Sequence, residues 1–250
     1  MKISLVTVTF NSAATLCDTI CSVQSQTYQD IEYIIVDGNS KDSTLEIIRE
    51  YEPSFDGKMH WISEKDSGLY DAMNKGFRMA TGDIIGIINS DDLLSEPTAI
   101  EKVVKMFEAN QEADAVYADL YYVAQNDISK IVRHWVSGKQ RPFRYGWHPA
   151  HPTFYVRREV YQKYGLFDLD FRFAADFELM LRLIDRYHIK LAYLPEPLVR
   201  MRLGGATSKS LTNIKKGNIE CIKAFRKNDL KVSRLYPLFR LLPKLKQYFQ

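Results

Sequence analysis

The run Ile84-Ile-Gly-Ile-Ile-Asn-Ser-Asp-Asp92 passes from apolar, mostly β-branched residues to an amide, a hydroxyl and two adjacent carboxylates. It reads as a buried strand delivering acids to its C-terminal end, where open α/β sheets bind ligands. Adjacent carboxylates repel, and a hard divalent cation that also touches phosphate oxygens is one way to hold them together. The plainer reading is a polar loop capping the helix after Pro97.

The elements that would position these acids favour a site. Residues 2–10, 31–36, 59–63 and 84–88 read as strands, and helical patterns over 13–24, 43–51 and 70–80 separate them. A strand recurs about every 25 to 30 residues, which predicts a parallel sheet with right-handed crossovers. In such a sheet the polar clusters at residues 9–11, 37–40, 64–68 and 89–92 meet at one edge. Beyond Pro97 we expect a helix to Asn110, a strand over 114–122, and a short hairpin or loop over 124–146. A turn and strand over 148–156 follow, then a helix over 158–164 ending at Gly165. Asp176 leads into a helix to about Tyr187, and a last strand over 189–194 is closed by Pro195 and Pro197.

At 250 residues the chain fits one large domain or a domain with an appendage. Its net charge of +3 is too small to imply a nucleic-acid partner, but from Lys209 onward eleven Lys or Arg face only Glu220 and Asp229. The basic tail, 208–250, interleaves these charges with Ile214, Ile219, Phe225, Leu235, Leu241 and Phe249 among others. It reads either as amphipathic helices at an anionic membrane surface or as a helix packed on the body or on a homodimer partner. Cys17, Cys21 and Cys221 form no metal-binding pattern and give little support for a disulfide framework, so a cytoplasmic setting is expected. No segment reads as a signal peptide, and no apolar run approaches the ~18 residues needed to span a bilayer.

Ordered motifs carry a family resemblance from Ile3 to about Thr207. They are Val6-Thr-Val-Thr-Phe-Asn11, Val36-Asp-Gly-Asn-Ser-Lys-Asp-Ser-Thr44, Asp66-Ser-Gly-Leu-Tyr-Asp-Ala-Met-Asn-Lys-Gly76, Thr81-Gly-Asp83, Asn89-Ser-Asp-Asp92 and Ala175-Asp-Phe-Glu178. The chain resembles the family 2 glycosyltransferases, especially bacterial enzymes of O-antigen, capsule or exopolysaccharide assembly. The resemblance implies an α/β fold of the GT-A type, a Rossmann-like, mostly parallel sheet flanked by helices. It further implies a catalytic domain over 1–207, with a nucleotide-binding half (1–95) and an acceptor-binding half (96–207), followed by the basic helical extension. No G-x-G-x-x-G follows the first strand, which argues against a dehydrogenase. No Gly-rich phosphate loop opens the chain, which disfavours a nucleotidyltransferase.

By that resemblance Thr9, Asn11 and Asp37 hold the base of a nucleotide, most simply UDP, although an Asx turn is an equal reading of Asp37. Asp66, Asn74 and Lys75 line the donor, with Lys75 a point charge for the diphosphate. Tyr70 reads equally well as the start of its helix's packed face. Asp91, then Asp92, are the expected ligands of Mg²⁺ or Mn²⁺, with Asn89 and Ser90 beside the donor; Asn89 stands where the family carries an acid. Asp176 matches the general base of inverting members, although Ala175 precedes it where an acid is usual. Trp147, His148 and His151 fall where the acceptor pocket is lined, and Arg202 where an arginine can reach the diphosphate. The implied activity is transfer of one sugar from a UDP-sugar to a saccharide, in particular a lipid-linked one at the inner membrane surface. The alternative is a nucleotide-sugar-binding scaffold whose site has decayed at Asn89 and Ala175.

Overall fold

The computed structural model describes residues 1–204, 211–233, 235–237 and 239–240. The first half alternates strand and helix: β1 (Ile3–Thr9), α1 (Leu16–Gln24), β2 (Ile31–Asp37), α2 (Thr44–Tyr51), β3 (Met59–Ser63), α3 (Leu69–Met79) and β4 (Ile84–Ile87). The second half holds β5 (Leu93–Leu94), α4 (Ala99–Ala109), β6 (Ala115–Ala124), β7 (Asp127–Trp135), β8 (Tyr155–Arg157), α5 (Arg158–Tyr164), α6 (Ala175–Leu181), β9 (Leu191–Arg202) and α7 (Leu211–Lys227).

All seven residues of β1 are buried, as a central strand covered on both faces requires. Alternate side chains divide between two cores. Ile3 and Leu5 pack with Leu16 and Ile20 of α1, Ile48 of α2 and Val103 and Phe107 of α4. Val6 and Val8 pack on the other face with Met73 and Phe77 of α3 and with α6. The approach of α3 is close: a Cβ on Gly76 would lie 2.4 Å from Val6 Cγ1, so only glycine fits there.

The sheet runs β3-β2-β1-β4-β8-β6-β9-β5, with the hairpin strand β7 on β6. β1 to β4 are parallel, and β8 runs antiparallel to both β4 and β6. Two reversals restore direction, so β6 and its parallel partner β9 point the same way as β1 to β4. The C-terminal ends of six strands therefore share one edge. Two expectations change. β5 is a strand of only two residues immediately after the acids, antiparallel to β9. The last strand does not close at Pro195 but continues to Arg202, because the register jumps between Ala118↔Leu194 and Asp119↔Pro197, and a bulge tolerates residues that lack an N–H.

The inward face of the tail belongs to this packing. Cys221, Ala224 and Phe225 of α7 and Tyr236 join the α6-side core, with the Phe225 and Tyr236 rings 5.0 Å apart. Ile214, Ile219 and Leu235 stay exposed, and the apolar residues at 241–250 lie outside the described residues. No helix among the described residues is long and apolar enough to cross a membrane.

The opposite, N-terminal edge of the sheet is held by Glu32 of β2. Its carboxylate accepts from Ser4 Oγ (2.6 Å), Thr81 N (2.9 Å), Thr81 Oγ1 (2.6 Å) and Lys2 Nζ (2.9 Å). Burial alone would raise its pKa, but these hydrogen bonds outweigh it and hold the group down to about 2, from an ordinary 4.5. A depressed carboxylate contributes fully above its ordinary value and loses that contribution as pH falls toward the folded value. Glu32→Gln should therefore cost about 1–3 kcal/mol in urea unfolding near neutral pH, and the gap from wild type should close between about pH 5 and 2. A gap undiminished near pH 2 would contradict this role.

Candidate active site

At the C-terminal edge, the first two loops are tied to each other before they can meet anything else. Gly38 N donates to Thr9 O (2.8 Å), Asn11 N to Ser40 Oγ (2.8 Å), and Lys41 N to Asn11 Oδ1 (2.8 Å). Asn11 and Asn39 take positive φ, 50° and 66°, which short amide side chains tolerate. Asp37 is fully buried beneath this lacing, accepting from Ser40 N (3.0 Å), Ser40 Oγ (2.5 Å) and Ser63 Oγ (2.6 Å). Its visible role is thus the Asx turn that builds the loop. Thr9 Oγ1 is buried and has no hydrogen-bond partner among the described residues. Phe10, which sequence reasoning passed over, is 63% exposed beside Gly38.

The loop after β3 closes over the same place. Asp66 accepts from Gly68 N (2.8 Å), and a Cβ on Gly38 would lie 2.5 Å from Asp66 Oδ2, so the second strand end and this loop are in contact. Lys75 is anchored to the loop from α3, bonding Lys65 O (2.9 Å) and Glu64 Oε1 (2.8 Å). The Asn74 amide is 3% exposed and is consumed by the backbone of Phe167, donating to the carbonyl and accepting from the N–H at 2.9 Å each. Both ends of the side chain are engaged.

Beyond β4 and Ile88, residues 89–92 divide their tasks. Asp92 is 1% exposed, accepting from Asn89 Nδ2 (2.7 Å) on one oxygen and Arg202 N (3.2 Å) on the other. Burial first, and then the charge of Asp91, push its pKa up to about 8, against the pull of Asn89 and Arg202. Asp92 is thus held inside the turn by Asn89 and Arg202, while Asp91 is the more open of the two acids. The Arg202 guanidinium is buried, donates to Asp91 O (2.8 Å) and pairs with Asp18 of α1. Ser90 Oγ is 3.0 Å from Ser12 Oγ, and Ser90 O accepts from Thr15 Oγ1 (2.8 Å). Asp91 remains as the half-buried acid of the pair. Among the described residues no three His, Cys, Asp or Glu gather to hold a metal. One carboxylate beside a diphosphate fits a hard cation that takes most of its oxygens from phosphate and water.

Asp176 stands in the first turn of α6, half-buried, and accepts from Tyr70 Oη of α3 (3.1 Å). Burial first, then Asp176, push the Tyr70 phenol well above its ordinary pKa, so it stays a donor. His151 is half-buried with its ring 6.0 Å edge-on from Phe167, and burial lowers its pKa against the opposing charge of Asp176, favouring neutral imidazole. Glu220 of α7 caps the approach to α6, accepting from Arg172 N (3.1 Å), Phe173 N (2.7 Å) and Ala174 N (2.9 Å). The other acceptor candidates sit farther into the packing. Trp147 donates its indole N–H to Ser137 O (2.8 Å) and packs edge-on against Tyr117 and Phe143. His148 packs edge-on against Trp135 and Phe177. Clefts of about 250 and 420 Å³ lie on either side of Lys231, the first beside Tyr145 and the second beside Ile222.

Comparisons with known proteins bear on the family and the fold. An uncharacterized glycosyltransferase of Mycobacterium tuberculosis is 31% identical over 188 residues, covering 72% of this chain and 68% of its own. A PGL/p-HBAD biosynthesis glycosyltransferase of Mycobacterium bovis is 28% identical over 203 residues, covering 76% and 75%. Among solved structures, Staphylococcus aureus TarS 1–349 in complex with UDP-GlcNAc superposes with a TM-score of 0.68 at 14% identity, covering 100% of this chain and 73% of that one. The mannosyltransferase PcManGT of Pyrobaculum calidifontis, in complex with GDP-Man and Mn²⁺, gives 0.67 at 17%, covering 99% and 69%. These two share the GT-A fold with this chain. The family described as glycosyl transferase family 2 matches residues 4–175, and with a sheet edge and acid placed as above, the chain belongs to that family.

Proposed function

We propose that the chain transfers one sugar, with inversion, from a UDP-sugar to a saccharide acceptor, and that Asp176 is the general base. The observation that carries this reading is the contact between Tyr70 and Asp176, which joins the helix after the donor-side loop to the helix bearing the acid. The edge formed by Thr9, Asn11, Ser90 and Asp66, with the exposed face of Phe10, would take the nucleotide; an aromatic face suits a base. Complexes of TarS with UDP-GlcNAc and of PcManGT with GDP-Man support a nucleotide-sugar donor.

In the proposed step the acceptor hydroxyl gives its proton to Asp176 as its oxygen bonds the anomeric carbon. The bond from that carbon to the diphosphate oxygen breaks, and the electron pair leaves with UDP. Asp91 would hold Mg²⁺ or Mn²⁺ together with the donor's phosphate oxygens, and such an ion supplies neutralisation of the leaving diphosphate. Lys75 and Arg202 act one layer back, fixing the loop after β3 and the turn at residues 91 and 92. His151 lies within electrostatic reach of Asp176 and would face the acceptor.

We place the acceptor among lipid-linked saccharides of surface polysaccharide assembly. The exposed Ile214 and Ile219 among Lys215, Lys216 and Lys223 suit an anionic membrane face. Asn89 does not favour a decayed scaffold, because its amide is the donor that Asp92 needs.

Asp176→Asn should lower UDP release from the donor about 10²- to 10⁴-fold while UDP affinity by calorimetry stays within about twofold. Loss of UDP affinity in that variant would make Asp176 structural. Asp91→Asn should weaken UDP binding in Mn²⁺ on the order of tenfold, to the level wild type shows in chelator. Equal binding by wild type and variant in both conditions would contradict a metal role.

A further inference from the structure

We infer that Tyr70 is the positioning residue for Asp176, and that Asn74 fixes it through Phe167, so that the segment from Asp66 to Gly76 sets the base rather than only lining the donor. The inference rests on the sugar-transfer reading above.

The geometry forms a chain. Asn74 clamps the peptide of Phe167 from both sides. The Phe167 ring stacks on Tyr70 with centroids 5.5 Å apart and planes at 30°. Tyr70 and Asn74 are one turn apart on α3, so they share a face and reach the same neighbour. The ring of Tyr70 is held, and its hydroxyl can donate only where it points, to Asp176 Oδ1 at 3.1 Å. The phenol is buried and stays protonated, so it is a donor throughout the working pH range. Among the described residues no protein donor lies within hydrogen-bond distance of Asp176 Oδ2, which leaves that oxygen for the acceptor hydroxyl. One oxygen is pinned and the other is aimed. Glu220 fixes the amides of residues 172–174 ahead of the same turn, so the backbone under Asp176 is held from α7 while its side chain is held from α3.

A tyrosine that merely satisfied its own buried hydroxyl would matter to stability but not to turnover in particular. The test is a double-mutant cycle of Tyr70→Phe and Asp176→Asn, read as UDP release from UDP-GlcNAc, UDP-glucose and UDP-galactose with Mn²⁺ and a detergent extract of the source membranes as acceptor. UDP affinity is measured alongside by calorimetry. Tyr70→Phe should lower kcat on the order of ten- to a hundredfold with KM for the donor and UDP affinity within about twofold, because a misaimed base costs the chemical step. In the Asp176→Asn background the same change should cost less than about twofold, since there is no base left to position. An equal cost in both backgrounds, or an unchanged kcat in wild type, overturns the inference alone. Loss of UDP affinity along with turnover in Tyr70→Phe overturns it in favour of a structural support. A wild type that binds UDP yet releases none from any donor overturns the sugar-transfer reading and this inference with it.

Discussion

Asp92 is a carboxylate almost without solvent access beside a second carboxylate, and much of the active edge is arranged around that cost. A buried acid must be supplied with donors, and here they come from the Asn89 amide and from the backbone of Arg202 at the far end of β9. The Arg202 guanidinium then holds the carbonyl of Asp91 and pairs with Asp18 of α1. Strand β4, strand β9 and helix α1 are thereby fastened at one point. A carboxylate in place of Asn89 would add repulsion where a donor is required. At the position where the family carries an acid, this chain thus has the amide that donates to Asp92.

The same logic governs the other half of the site. The start of α6 has unpaired amides ahead of it, and Glu220 of α7 supplies the acceptors that the local sequence, with Ala174 and Ala175, does not. The basic tail is therefore anchored by its own acid and by Phe225 and Tyr236 in the core. Asp176 sits where these supports meet Tyr70, so the acid-bearing turn is held from both ends of the chain.

Strands β1 to β4 were legible because continuous β-branched runs, each ending in polar residues, admit few other readings in an α/β chain. β5 was not, since two residues carry no periodicity. β9 runs on past Pro195 and Pro197 because the extra residues bulge out of β9 itself, and that bulge is defined only by its pairing with β6. The candidate residues divide in the same way. Asp66, Asp91 and Asp176 could be proposed from local pattern and family resemblance. The roles of Asn74, Arg202 and Tyr70 depend on partners 93, 110 and 106 residues away, and no local pattern carries that information. Phe10 had a local signal, an aromatic directly after a buried strand, but burial decides its meaning, and the structure leaves it exposed.

The central claim is a single displacement with one base on the acceptor side, and stereochemistry reads it most directly. With an α-linked UDP-sugar as donor, proton NMR of the product's anomeric signal should show the β configuration from the first turnover onward, because attack opposite the leaving diphosphate inverts the carbon. An α-configured first product would contradict the assignment of Asp176 as the base of an inverting transfer.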